Sequence, residues 1–249
     1  MGPTIMGPEE FARVGYDYVG FDTQHGYLDD ADVALMLRRL EHVPIATAVR
    51  LPSCDPAPIG RVLDAGADAV IIAMVETAEQ AAQAVAATRY APNGVRSFGP
   101  LRADLGFAPA ALEARAGVYV MIETAAALPN LEQICGVPGL AGVYVGPADL
   151  AISLGYGLAD ILKAPEVTAA IRRIEAVATA AGLIAGVHAS DGITGNTMAG
   201  WGFRMITLAS ESQALRRGAA EHLKEAVGDS DPGAVDSGAL PAPTTKGYS

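Results

Sequence analysis

Short, continuously apolar runs alternate along the chain with longer Ala-rich stretches whose apolar residues recur at helical spacing. The runs at 18–22, 45–50, 69–74, 118–123, 142–146, 183–188 and 204–209 read as strands, and their continuous apolarity fits a parallel sheet covered on both faces. Between them, 30–41, 77–89, 166–181 and 211–226 predict helices. A Gly stands just ahead of a strand in "GYDYV" at 15, "GADAV" at 66, "GLAGV" at 139 and "GFRMI" at 202, as expected where a helix closes in the left-handed region. Seven strands in this alternation predict a single (β/α)8 TIM barrel over 1–227. An open doubly wound sheet fits less well, because no G-x-G-x-x-G follows any strand. The first strand of such a barrel is short or missing, since "MGPTIMGPEEFARVG" leaves only a stub at 4–6. Past Val227 the sequence is rich in Gly, Pro, Ser and Asp, and 228–249 is expected to be a disordered C-terminal tail.

Composition narrows the function classes. The chain has 249 residues, 51% of them hydrophobic, enough for a sizeable core. Its 17 basic against 28 acidic residues give a formal charge of -11, which disfavours nucleic acid and anionic membrane surfaces as partners. No stretch reaches the roughly 18 to 20 apolar residues of a membrane span, and the N-terminus does not read as a signal peptide. Cys54 and Cys135 are too few for a disulfide framework and are expected as free thiols. These features predict a cytoplasmic protein.

In a parallel βα barrel, chemistry gathers where strands end. The polar groups there are Asp22 and His25, Arg50, Glu123, Asp149, and then His188, Ser190 and Asp191. Glu123 closes the apolar "VYVMI", and a carboxylate so placed must be paired, protonated or bound to a cation. With Asp149 it makes a carboxylate pair suited to Mg²⁺ or Mn²⁺. Asp149 reads equally well as a helix cap in "PADLAISLG". Arg50 can hold a carboxylate or enolate through its planar fork, or form an ordinary ion pair with a neighbouring acid. His25 reads as a general base with Asp22 and Gln24 for company, or as a surface residue. His188 ends an apolar run and is a further candidate, whereas His42 looks like a helix-end residue. Serine hydrolysis, P-loop phosphoryl transfer and zinc proteolysis lack their motifs. None of Lys163, Lys224 and Lys246 ends a strand, which disfavours imine chemistry.

Five segments in order carry a resemblance: "FDTQHG", "VRLPSCDPAPIGRVLDAGADAVIIAMVETAEQA", "RYAPNGVRSFGP", "MIETAAALPNLEQICGVPGLAGVYVGPADLAISLG" and "GFRMITLAS". From about residue 15 to 220 the chain resembles the HpcH/HpaI family of metal-dependent class II pyruvate aldolases, and 123–155 is the most specific part. The resemblance implies a (β/α)8 barrel assembled as trimers or hexamers, acting on pyruvate and an aldehyde to make or cleave a 4-hydroxy-2-oxo acid. It implies Glu123 and Asp149 as ligands of Mg²⁺, Mn²⁺ or Co²⁺. Arg50 would contact pyruvate and stabilise its enolate, and His25 would be the base. Asp22 would support that base, as would Asp64, acting across a subunit boundary. The backbone at Gly146, Pro147, Ala148 and Asp149 would face the substrate carboxylate, although Pro147 has no N–H to offer. Two positions depart from the pattern: Gln24 where many relatives have Glu, and Met121 where many have Gln. The alternatives are a CoA-thioester lyase of the citrate lyase β-subunit type and a catalytically degenerate barrel. Arg96, Ser97 and Arg102 are candidates for contact with an anionic acceptor.

Overall fold

A computed structural model describes residues 6–227. The tail expected at 228–249, and Thr4 and Ile5 of the stub strand, lie outside the described residues; Met6 itself opens a helix. Seven strands, β1 (Tyr18–Asp22), β2 (Ala46–Leu51), β3 (Ala69–Ile72), β4 (Gly117–Ile122), β5 (Gly142–Val145), β6 (Ile184–His188) and β7 (Met205–Thr207), form one parallel sheet in sequence order. The helices are α1 (Met6–Val14), α2 (Asp30–Arg39), α3 (Pro56–Asp64), α4 (Ala78–Ala86), α5 (Pro109–Arg115), α6 (Leu131–Cys135), α7 (Pro147–Ser153), α8 (Pro165–Ala180), α9 (Gly192–Gly200) and α10 (Glu211–Val227). This is a nearly closed barrel of the (β/α)8 type, with each of the seven strands expected between 18 and 209 within a few residues of its place. The chain divides into two compact units, the barrel through Ser212 and a second unit from Gln213, whose described part is helical with Leu215, Leu223 and Val227 exposed. Among the described residues, no helix is long and apolar enough to cross a membrane.

Alternation along the strands sorts side chains into two apolar clusters. One lies between sheet and helices and includes Val19, Phe21, Val49, Leu51, Val143 and Val187. The other fills the barrel interior with Ala48, Ile71, Ala73, Tyr119, Met121 and Tyr144. The interior packs large residues against glycines on the next strand. A Cβ on Gly142 would stand 2.5 Å from the Tyr119 ring, and one on Gly186 would stand 2.6 Å from the Tyr144 ring. Helix starts are fixed locally, as at Asp29 and Thr77, each of which forms a reciprocal capping box with the residue three positions on.

The outermost strands, β1 and β7, are tied by side chains. Thr207 Oγ1 lies 2.6 Å from Tyr18 Oη and 2.6 Å from Tyr144 Oη, so a three-hydroxyl cluster links β1, β5 and β7 inside the barrel. Burial pushes the Tyr18 phenol up to about 12 and the Tyr144 phenol upward as well, so both stay protonated and can donate. Removing the shared hydroxyl strands buried polar groups. Thr207→Val is expected to lower stability by about 1–3 kcal/mol, with Thr207→Ser retaining most of it, as measured by urea denaturation; equal midpoints for Thr207→Val and the parent chain would refute the link.

Candidate active site

A cavity of about 570 Å³ opens at the ends of the strands, and its lining includes Asp22, His25, Arg50, Asp149 and His188. Asp22 organises one corner of it. Its carboxylate accepts from Arg50 Nε at 2.9 Å and from the Arg50 terminal nitrogen at 2.5 Å, a bidentate pair across β1 and β2. The same Oδ1 accepts the backbone N–H groups of Gln24 at 3.0 Å and His25 at 3.2 Å, so one side chain both aims Arg50 and folds the loop that carries His25. Thr23 completes the tie by donating to the Arg50 carbonyl from its N–H at 3.0 Å and from its hydroxyl at 2.7 Å. Burial pushes the Asp22 carboxyl up, but the Arg50 guanidinium and the two N–H groups outweigh it and hold the carboxyl below its usual range. Gly26, at φ +121°, turns the chain away after His25.

Glu123 follows β4 and is only 1% exposed. Burial raises its pKa first and Asp149 adds to this, while the Met74 N–H, Arg50 and His25 act in the opposite direction without cancelling it. Its Oε1 accepts the Met74 N–H at 2.8 Å. Met74 adopts φ +57°, an uncommon region for a residue with a side chain, and that turn after β3 aims its N–H at the carboxylate. The other oxygen faces Gly146, where an added Cβ would sit 2.6 Å from Glu123 Oε2. Asp149 lies in the first turn of α7, exposed to the cavity.

A buried carboxylate with a raised pKa, an exposed second one within electrostatic reach of it, and a glycine that leaves room beside the first fit a hard divalent cation. Among the described residues no cluster of three or more His, Cys, Asp or Glu side chains is placed to bind a metal. Asp149 makes no side-chain cap of α7, whose N-cap is Gly146, so the helix-start geometry leaves its carboxylate free to face the cavity. Met121 is buried in the barrel interior directly beneath, with Cε 3.1 Å from the built Gly146 Cβ.

Most sequence-derived candidates converge on this rim; Asp64 does not. It ends α3, lines a separate cavity with Pro56, Gly60, Ser97 and Leu101, and accepts from the buried Arg96 guanidinium at 2.7 Å. Arg96 stacks on the Tyr90 ring, 4.9 Å from its centroid, and Arg102 pairs with Asp104, so neither lines the strand-end cavity. Gln24 keeps its buried side-chain oxygen without a hydrogen-bond partner among the described residues. The sequence reading missed the Met74 N–H and the Tyr18, Tyr144 and Thr207 hydroxyls. A main-chain donor leaves no mark in residue type; the strand-end polarity of Thr207 was a usable signal.

Residues 5–218 match the family described as HpcH/HpaI aldolase/citrate lyase. A hydroxypyruvate/pyruvate aldolase of Rhizorhabdus wittichii is 36% identical over 228 residues, 90% of each chain. A 5-keto-4-deoxy-D-glucarate aldolase of Klebsiella pneumoniae is 34% identical, with 85% of this chain and 84% of that one covered. The crystal structure of an HpcH/HpaI aldolase/citrate lyase family protein from Burkholderia cenocepacia superposes with a TM-score of 0.83 at 32% identity, covering 91% of both chains.

Two outcomes follow from the geometry. Because the folded Asp22 carboxyl has a lowered pKa, its contribution to stability is present above the ordinary aspartate value of about 4 and is lost as pH falls through the folded value. Asp22→Asn should cost about 1–3 kcal/mol at pH 7, and urea titrations should show the gap to the parent chain closing as the pH is lowered; a gap independent of pH would contradict the pairing. Gly146→Ala should weaken Mg²⁺ or Mn²⁺ binding at least about tenfold by calorimetry while the far-ultraviolet dichroism is kept, since the added methyl displaces Glu123.

Proposed function

The chain belongs to the HpcH/HpaI aldolase/citrate lyase family, and from that premise we propose that this rim carries out a metal-dependent aldol cleavage and condensation of 4-hydroxy-2-oxo acids. It is a carbon–carbon lyase of the pyruvate aldolase type. The observation that carries the reading is the buried Glu123 carboxylate, with an oxygen turned to Gly146 at the start of α7 and with Asp149 and Arg50 within electrostatic reach.

Glu123 and Asp149 would hold the divalent ion, Mg²⁺ or Mn²⁺ by the hardness of the donors, with Co²⁺ a third candidate. Once held there, such an ion supplies Lewis-acid polarisation of the 2-oxo group and so acidifies the neighbouring carbon. The N–H groups of Ala148 and Asp149, in the first turn of α7, meet the substrate carboxylate. His25 takes the proton from the C4 hydroxyl, directly or across one water. The C3–C4 bond then breaks, its electron pair passes into the pyruvate enolate, and C4 leaves as the aldehyde. Arg50, locked in orientation by Asp22, stabilises the negative charge on the enolate oxygen. Condensation runs the same steps in reverse.

Asp64 completes the site only from a second copy of the chain, because within its own chain it sits at a separate cavity; a trimer or hexamer is therefore part of the proposal. The degenerate-barrel alternative is disfavoured because His25, Arg50 and Asp149 all line one cavity and Glu123 faces Gly146 in the same lining.

The measurement is exchange of pyruvate methyl protons for deuterium, followed by NMR with Mg²⁺ or Mn²⁺ present. Arg50→Ala and Glu123→Gln are each expected to slow it by about 10²–10³-fold, and a chelator should stop it. The proposal falls if the parent chain neither exchanges these protons nor cleaves any 4-hydroxy-2-oxo acid.

A further inference from the structure

His188 shares the cavity with this machinery and has no task in the steps above. Its position follows from strand alternation: Gly186 underlies the Tyr144 ring in the interior, so His188, two residues on, faces the same way. Val145 pairs with Val187, which puts His188 beside Gly146, where the α7 cradle begins. On its other side His188 pairs with Thr207. Ser190 at φ +72° and the Asp191 cap, which accepts the Thr194 N–H at 2.8 Å, end the strand sharply and keep the imidazole at the mouth.

Its charged neighbours tie it to the Asp22–Arg50 corner of the cavity. Glu123 interacts electrostatically with Asp149, Arg50 and His25, whereas His188 interacts with Arg50 and Asp22. Arg50 is therefore within electrostatic reach of both Glu123 and His188, and Arg50 and His188 line the same cavity. Under the aldolase reading, on which this inference rests, Arg50 holds the oxygen of the 2-oxo group. The adjoining carbon, where the new bond forms, then lies in the cavity that His188 also lines. Burial lowers the pKa of the His188 ring and the Arg50 guanidinium lowers it further, with Asp22 opposing, so near neutral pH the ring is uncharged and carries one donor and one acceptor. No group among the described residues hydrogen-bonds to it. A hydroxyl, itself both donor and acceptor, is the matching partner.

We propose that His188 is a specificity residue that binds a hydroxyl on one of the two carbons joined in the aldol step or on the carbon next to them. The hydroxyl comes either from a 3-hydroxylated 2-oxo acid donor or from a 2-hydroxyaldehyde acceptor.

The test pairs pyruvate or hydroxypyruvate with propanal or glycolaldehyde and compares kcat/KM for the parent enzyme, His188→Phe and His188→Gln. In His188→Phe the preference for the hydroxylated compound should fall about tenfold in one arm, the donor arm or the acceptor arm identifying the source. His188→Gln, which still donates and accepts, should hold the preference within about threefold. If all four combinations fall by one common factor, the proposal is overturned. Should His188→Phe not fold, the imidazole ¹⁵N shifts of the parent enzyme decide, with the His188 signals assigned by their loss in His188→Gln. They should move when hydroxypyruvate or glycolaldehyde is added and stay still with pyruvate and propanal; equal responses to all four overturn the proposal. Pyruvate deuterium exchange by the parent enzyme separates the two readings. Its absence sinks the aldolase assignment, whereas exchange with a flat selectivity ratio sinks only the role of His188.

Discussion

The site is built around a carboxylate that folding removes from water. An isolated ionised carboxylate in apolar surroundings is costly, so the residues around Glu123 are constrained by its charge. One oxygen is met by the Met74 N–H, which requires a left-handed turn at the end of β3. The other needs open space, and Gly146 supplies it by having no side chain. Arg50 and His25 offset part of the burial, Asp149 works against it, and the carboxyl is left with a raised pKa. A buried acid in that condition gains most from a neighbouring positive charge, which is what the proposed cation would supply.

Asp22 shows the opposite balance. It is also partly buried, yet its bidentate partner and two backbone donors hold its carboxyl below the ordinary range. The two acids therefore have different parts: Asp22 stays ionised and sets geometry, while Glu123 awaits a counter-charge. Because Asp22 grips Arg50 and the His25 loop with one carboxylate, the guanidinium and that loop are held in one arrangement. That arrangement suits a reaction in which charge develops on the 2-oxo oxygen while a proton leaves a hydroxyl nearby.

The barrel interior accommodates these groups through size matching between adjacent strands. Tyr119 over Gly142 and Tyr144 over Gly186 fill the space without overpacking, and the Tyr18, Thr207 and Tyr144 hydroxyls link the outermost strands. This lower layer supports the rim: Met121 lies directly under Gly146, and Thr207 pairs in register with His188. A polar residue at 121 would stand beside Gly146 and the Glu123 carboxylate; the Met found there leaves the bonding to the rim itself.

The sequence by itself determined the elements and the chemistry at their ends. Apolar runs broken by Asp22, Arg50 and Glu123 are local patterns, and a period of two along a strand says which residues share a face wherever the strand later lies. What the pattern could not carry was convergence. Sheet curvature brings His25, Arg50 and Asp149 to one cavity, with Glu123 facing Gly146 in its lining, and sends Asp64 to a different one beside Arg96, because α3 ends on the outside of the barrel. The Met74 N–H is a main-chain donor that any residue could have provided, and the need for glycine at 146 exists only because Glu123 arrives opposite it. Those decisions belong to the tertiary structure, since they depend on distances between residues dozens of positions apart.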